Sequence, residues 1–146
     1  MSNIIQRIAF KAVIVNDDNQ LLMLREASTY EEGTNTGKYH FPGGRLELGE
    51  KWQDGLLREV LEETGFNQND IKIGKPIYVG EWHPVIKGVQ NQIVALFIVC
   101  ELISDKPVKL SEEHDNFAWL SKGEVPKDAK IMPPDDKVIE TYFNSI

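Results

Sequence analysis

A chain of 146 residues, 41% hydrophobic and 27% charged, can bury one sheet and a few helices but is too short to divide comfortably in two. Its net charge of −7 excludes the basic footprint that nucleic acid or anionic lipid requires, so a polyanionic ligand here needs a local counter-charge such as a bound cation. Cys100, the single cysteine, forbids an intramolecular disulfide and suits a reducing cytoplasm. The longest apolar run, residues 93–100, has strand length and falls far short of the roughly 20 residues that span a bilayer. Arg7 and Lys11 interrupt the apolar N-terminus and no small-residue cleavage site follows, so no signal peptide is expected. One cytoplasmic domain over residues 1–146, with no membrane contact, is the resulting expectation.

Residues 8–15 and 20–24 are β-branched and apolar runs flanking Asn16-Asp17-Asp18-Asn19, which predicts two strands joined as a hairpin. Residues 25–39 are polar and aperiodic with Gly33 and Gly37, the composition of a functional loop bordering a binding site. Phe41-Pro42-Gly43-Gly44 follows, where the glycines permit backbone approaches that side chains would block. Residues 51–64 carry the strongest helical signal, with Leu56, Leu57, Val60, Leu61 and Thr64 as a packing stripe and Gly65 as the stop. Gly55 inside that helix costs about 0.5–1 kcal/mol relative to alanine, which close packing would justify. Residues 71–81 and 91–103 predict strands connected through 84–88; a loop at 104–110 and a short strand at 117–120 come next. Pro133-Pro134 opens a terminal helix in which Val138, Ile139, Tyr142 and Phe143 recur at helical spacing. The order of elements predicts an α/β fold, a mixed β-sheet covered by helices.

Chemistry concentrates between Gly43 and Phe66. Glu59, Glu62 and Glu63 stand at i, i+3 and i+4, so they share a helix face and converge within reach of a common point. Like charges at that spacing oppose the helix by roughly 0.2–0.5 kcal/mol per exposed pair, a repulsion that a divalent cation turns into attraction. Oxygen donors favour Mg²⁺, with Mn²⁺ as the alternative, over Zn²⁺. Such an ion would neutralise phosphate oxygens and acidify a bound water, and a neighbouring glutamate could take the proton. Glu50 stands at the positive end of the helix dipole, and Arg58 can pair with a carboxylate and orient it.

This segment resembles the Nudix box. Gly44, Glu50, Arg58, Glu59, Val60, Glu62, Glu63 and Gly65 fill its positions in register, and Phe66 is aromatic where the family has a bulky aliphatic residue. The resemblance implies a Nudix-type α/β/α sandwich with a mixed sheet. It also implies Mg²⁺-dependent hydrolysis of a diphosphate bond in a nucleoside diphosphate linked to another group, X. Catalytic roles are implied for Arg58, Glu59, Glu62 and Glu113, and metal contacts for the Gly43 carbonyl, Glu59, Glu62, Glu63 and Glu113. Glu113 enters because relatives place a further glutamate about six residues before a tryptophan, here Trp119; Glu112 is the fallback. Arg25 matches a basic position that contacts phosphate in relatives. In MutT-type enzymes, which hydrolyse oxidised nucleoside triphosphates, polar residues after a Pro-Pro step read the purine edge, so Asp135 and Asp136 are candidate base readers. They tilt the expected substrate toward nucleoside triphosphates, oxidised or ordinary, while ADP-ribose, nucleotide sugars and dinucleoside polyphosphates stay open. Family members are often dimers, so a homodimer is also open.

Each feature has a structural alternative. A solvated acidic face would explain the helix glutamates, first-turn dipole partners would explain Asp135 and Asp136, and an exposed loop acid would explain Glu113. His40, His83 and His114 are dispersed in sequence and are expected to be hydrogen-bonded or exposed, without a catalytic role. Trp52 and Trp82 could stack on a base, but packing is the expectation. A nucleotide sensor without turnover is the alternative function, opposed by the intact glutamate set. An isomerase of the same fold would need a catalytic cysteine, and Cys100 lies in an apolar strand. The acidic balance also opposes RNA decapping.

Overall fold

The computed structural model describes residues 3–28, 36–126 and 130–146. β1 (Ile4–Val15), β2 (Leu21–Glu26), β3 (Tyr39–His40), β4 (Gly43–Arg45), β5 (Ile71–Trp82), β6 (Val85–Ile86), β7 (Val89–Leu102) and β8 (His114–Leu120) form one sheet, with helices α1 (Trp52–Thr64) and α2 (Asp135–Asn144). Its spine runs β3-β2-β1-β7-β5, with β4 on β1, β6 on β7 and β8 on β2. β1 and β7 are parallel, from Ile4↔Gln90 to Val15↔Glu101, and the other strand pairs are antiparallel, so the sheet is mixed.

Alternation along the central strands sorts the core into two layers. Ala9 and Val13 of β1 with Ile93, Ala95 and Phe97 of β7 pack toward Val138, Tyr142 and Phe143 of α2. Ala12 and Ile14 with Ile98 and Cys100 pack on the other side, with Leu56 and Val60 of α1 and Phe66. The α/β character expected from the sequence is observed, with one helix on each face. Gly65 ends α1 in the left-handed region at φ 79°, its N–H bonded to Leu61 O. Gly55 is a site of close approach: a Cβ there would lie 2.7 Å from Leu46 Cδ1 and 2.8 Å from Glu50 Oε1. Leu61 departs from the predicted stripe and is half exposed, while Glu63 takes an inward position.

The predicted hairpin exists only at its base. Asn16 Oδ1 accepts from the amides of Asp18 and Gln20, and β1 pairs with β2 at Val15↔Leu21 alone. Beyond that point the strands splay, because residues 39–45 wedge between them: β3 pairs with β2, β4 pairs with β1, and Ala12 N donates to Pro42 O. β2 finds its other partner in β8, from Leu21↔Leu120 to Glu26↔His114. The splay matters for the site. It carries His40, Gly43 and Gly44 alongside Lys11 and beneath α1, where a closed hairpin would have excluded them.

Of the predicted loop at 25–39, residues 29–35 lie outside the described residues, while Arg25 and Glu26 belong to β2 and Tyr39 to β3. No described helix is long and apolar enough to cross a membrane.

Candidate active site

A cleft of about 310 Å³ opens where β4, the C-terminal half of α1, the loop before β8 and the β5–β6 end of the sheet meet. Glu59, Glu62 and Glu113 line one part of it, with Gly43, Gly44 and Arg45. Ala9, Trp82, Pro84, Ile86 and Ile93 form an apolar part, and Lys11 also lines the cleft.

The three helix glutamates do not share one environment. Glu63 is 3% exposed, and its Oε1 accepts the Gly43 amide at 3.0 Å. Gly43 sits at φ 139°, and a side chain there would strike the Phe10 carbonyl, so glycine is required for this strand to pass β1 while its amide meets Glu63. Burial pushes the Glu63 carboxyl up to about 8, against the opposing pull of Lys11 and the Gly43 amide. Glu59 is half-buried beside Gly44, whose missing Cβ leaves the room its carboxylate fills. Desolvation raises it too, partly offset by a 3.0 Å hydrogen bond from Arg58 Nη1. Glu62 is exposed, 3.8 Å from the same guanidinium.

Arg58 gathers the rim. Its Nε and Nη2 donate to the two Glu50 oxygens at 2.9 and 3.0 Å, a bidentate pair that holds Glu50 below the usual carboxylate range and Arg58 above its ordinary value. Glu50 Oε1 also accepts the Glu47 amide, which pins the loop before α1.

Donor atoms of Glu63, Glu113 and His114 lie within 4.8 Å of one another. Glu112 is exposed and does not join them. His114 Nδ1 is buried and makes no hydrogen bond, so this group keeps donor capacity in hand. The two carboxylates fit the hard divalent ion that the acidic motif implies, Mg²⁺ or Mn²⁺, whereas the imidazole is a donor better suited to a borderline ion. Glu63 lies with Glu113 and His114, and Glu59, close enough to act on the Glu63 charge, stands with Glu62 beside Arg58.

Beneath lies a polar floor that sequence reasoning missed. Lys11 is 5% exposed, with its Nζ 3.2 Å from His40 Nδ1. His40 and His114 meet through their Nε2 atoms at 2.9 Å, and His114 Nε2 lies 3.5 Å from Glu63. His40 and His114 are hydrogen-bonded as expected, although to each other, and exposed His83 pairs with Glu81 at 2.8 Å. Burial, then Lys11, holds His40 well below its ordinary range and His114 down at about 4, so the imidazoles are neutral. Lys11 had a legible signal: a lone charge on the buried parity of β1, between Ala9 and Val13. The histidine pair had none, being 74 residues apart.

The remaining candidates are engaged elsewhere. Arg25 Nε donates to Asp115 at 2.6 Å. Asp135 is fully buried, accepts the Phe41 amide at 2.8 Å and is pushed up to about 6 by desolvation. Asp136 is exposed in the first turn of α2. Trp52 stacks on Phe10 at 5.3 Å between centroids.

Comparison with known proteins supports the same assignment. A MutT-like protein of Streptomyces ambofaciens is 33% identical over 118 residues, covering 81% of this chain and 66% of that protein, so the chain spans just under two thirds of that relative's length. The nucleoside triphosphatase NudI of Escherichia fergusonii is 24% identical over 110 residues, 73% of this chain and 77% of that one. The crystal structure of the MutT protein from Methanosarcina mazei Go1 matches with a TM-score of 0.77 at 25% identity, covering 99% of this chain and 97% of that chain. The model of the NUDIX domain matches residues 5–142, and the chain belongs to the NUDIX family.

Proposed function

We propose that this protein is a pyrophosphohydrolase that cleaves a diphosphate bond in a nucleoside diphosphate linked to X, with a nucleoside triphosphate as the first candidate and Mg²⁺ as the ion. The observation that carries the reading is the approach of Glu63, Glu113 and His114 at a cleft whose rim bears Glu59 and Glu62. The name nucleoside triphosphatase, borne by NudI relatives, supports that substrate class.

A bound divalent ion would supply Lewis acidity toward the phosphate oxygens and a more acidic water. Glu59, Glu62, Glu63, Glu113 and the Gly43 carbonyl would hold it, with His114 beside Glu63 and Glu113. The Gly43 amide orients Glu63, and Arg58 orients Glu59. Glu59, raised by burial and lining the cleft, is the candidate proton acceptor, because a general base works best with a pKa nearer the working pH. Of the two aspartates, Asp136 is the stronger base reader, since Asp135 is committed to Phe41. Arg25 as a phosphate contact would have to release Asp115. A cytoplasmic setting belongs to the same reading, which the lone buried Cys100 suits.

A phosphate-release screen over nucleoside triphosphates, ADP-ribose, nucleotide sugars and dinucleoside polyphosphates, with Mg²⁺ and then with EDTA, tests the proposal. Turnover of at least one class that EDTA abolishes is the expected result. Turnover indifferent to EDTA, or none in any class, overturns it.

A further inference from the structure

β8 does not keep one register along β2. From Leu21↔Leu120 to Arg25↔Asn116 the pairing is regular, and its alternation puts Leu22 and Trp119 on the α1 face and Met23 and Ala118 on the α2 face. The next pair is Glu26↔His114, so Asp115 is an extra residue, a β-bulge. Its effect is one of parity. In an unbroken ladder Asp115 would take the α1-face position opposite Glu26, and His114 the next one, facing α2. The bulge instead gives that position to His114, beside His40 and Glu63, and brings Glu113 with it. Two bonds fix the bulge to the end of β2: Arg25 Nε donates to Asp115 Oδ1 at 2.6 Å, and Ala27 N donates to Glu113 O at 2.8 Å. The end of β2 is itself held, since Glu26 N donates to Lys38 O and Gly37 N to Glu26 O.

We propose that Arg25 and Asp115 form a lock on this bulge: they are positioning residues for the group of Glu63, Glu113 and His114, and Arg25 is not a phosphate contact. The proposal rests on the hydrolase reading above, which supplies the ion that this group binds. The pair is partly solvated, with side chains 25% and 42% exposed, and such a pair contributes little to stability. Its contribution is to geometry, because ligands held by outer partners bind their ion about 10–100-fold better than ligands without them. The signs of two effects separate the lock from plain electrostatics. Removing a cation near a cation site strengthens binding and removing an anion weakens it, whereas loss of either half of a lock weakens it.

The test titrates Mn²⁺ alone into wild type, Arg25→Met, Asp115→Asn and the double variant by calorimetry, with melting temperatures alongside. A lock predicts that both single variants weaken Mn²⁺ about tenfold while melting within about two degrees of wild type. The double variant should bind no more weakly than either single one. With saturating Mn²⁺, tripolyphosphate affinity should move alike in the two single variants. A loss in Arg25→Met against a gain in Asp115→Asn would make Arg25 a phosphate contact and overturn the lock. So would Mn²⁺ affinity within about twofold of wild type in either single variant, tighter Mn²⁺ binding in Arg25→Met, additive losses in the double variant, or a large fall in melting temperature that assigns the pair to the fold. Each of these leaves the hydrolase reading standing, and wild type that binds no Mn²⁺ overturns both.

Discussion

Glu62 and Glu63 are neighbours in sequence and opposites in setting. The Glu62 side chain is 59% exposed on the rim, within reach of Arg58; that of Glu63 is 4% exposed on the floor, held by a backbone amide and faced by an imidazole. Glu62 is solvated and works on the substrate without much bearing on the fold. Floor groups are desolvated, so each is coupled to stability as well as to chemistry. The contrast teaches that one acidic motif on one helix supplies two kinds of carboxylate, and that activity and stability should respond to them differently.

The largest expected effect separates the two. Glu62→Gln and Glu63→Gln should each lower turnover by roughly a thousandfold, as expected for loss of a group that holds the ion or the reacting water. Their melting temperatures should diverge. Glu63 has a folded pKa raised to about 8, so its contribution to stability is fully present below about 4.5 and is lost as pH rises through 8. In EDTA at pH 8, Glu63→Gln should therefore melt several degrees above wild type, while Glu62→Gln melts within about one degree of it. Equal melting of both variants would erase the distinction between floor and rim.

Lys11 comes next, as the cation that the floor groups share; it opposes the raised pKa values of Glu63 and Asp135 and lowers both imidazoles. Lys11→Met keeps the length of the side chain and removes the charge. Lys11→Met removes the amine that His40 Nδ1 faces, and leaving a buried polar group without that partner costs about 1–3 kcal/mol, so a fall of about 5 °C in melting temperature is expected. By NMR, the imidazoles of His40 and His114 should titrate at higher pH than in wild type. A variant that melts like wild type with unmoved imidazoles would show that Lys11 is a bystander.

Rim and floor also differ in how well the sequence announces them. Everything local was legible: the α1 register, its stop at Gly65, the terminal helix, and the rim set of Glu50, Arg58, Glu59 and Glu62, because i, i+3 and i+4 spacing is a property of the chain itself. The floor is assembled by contacts distant in sequence. Residues 39–45 wedge into the splayed β1–β2 pair, and His114 arrives from the loop before β8. A periodicity argument predicts the hairpin at 8–24 and has no means of predicting that another strand pair will open it. The same blindness made Glu63 look equivalent to Glu62, although α1 turns one toward the wedge and the other to solvent.

Asp135 gives a smaller effect with a defined pH window. Its folded pKa is raised from 3.8 to about 6 by burial, so its contribution to stability is present below about 3.8 and lost as pH rises through 6. Complete passage through that window costs up to roughly 3 kcal/mol. Asp135→Asn keeps the acceptor for the Phe41 amide and cannot ionise. Wild type and variant should melt together near pH 4 and separate by pH 7, with the variant higher. A gap that stays constant with pH would assign Asp135 to a solvated setting like that of the rim.

The smallest effect belongs to Arg58, and salt is the tool that classifies it. Its guanidinium makes the bidentate pair with Glu50 and the 3.0 Å bond to Glu59, yet the side chain is 28% exposed, so water and ions reach the network. Arg58→Lys retains the charge and loses the fork, and exposed pairs of this kind contribute about 0–1 kcal/mol each. A drop of about 2 °C at low salt is expected, shrinking toward zero in 1 M NaCl, where the screening length falls to about 3 Å. The deficit of Lys11→Met should survive the same salt, because the floor lies out of reach of mobile ions. If the Arg58→Lys deficit persisted undiminished at high salt, Arg58 would have to be counted with the floor, and Glu50 and Glu59 with it.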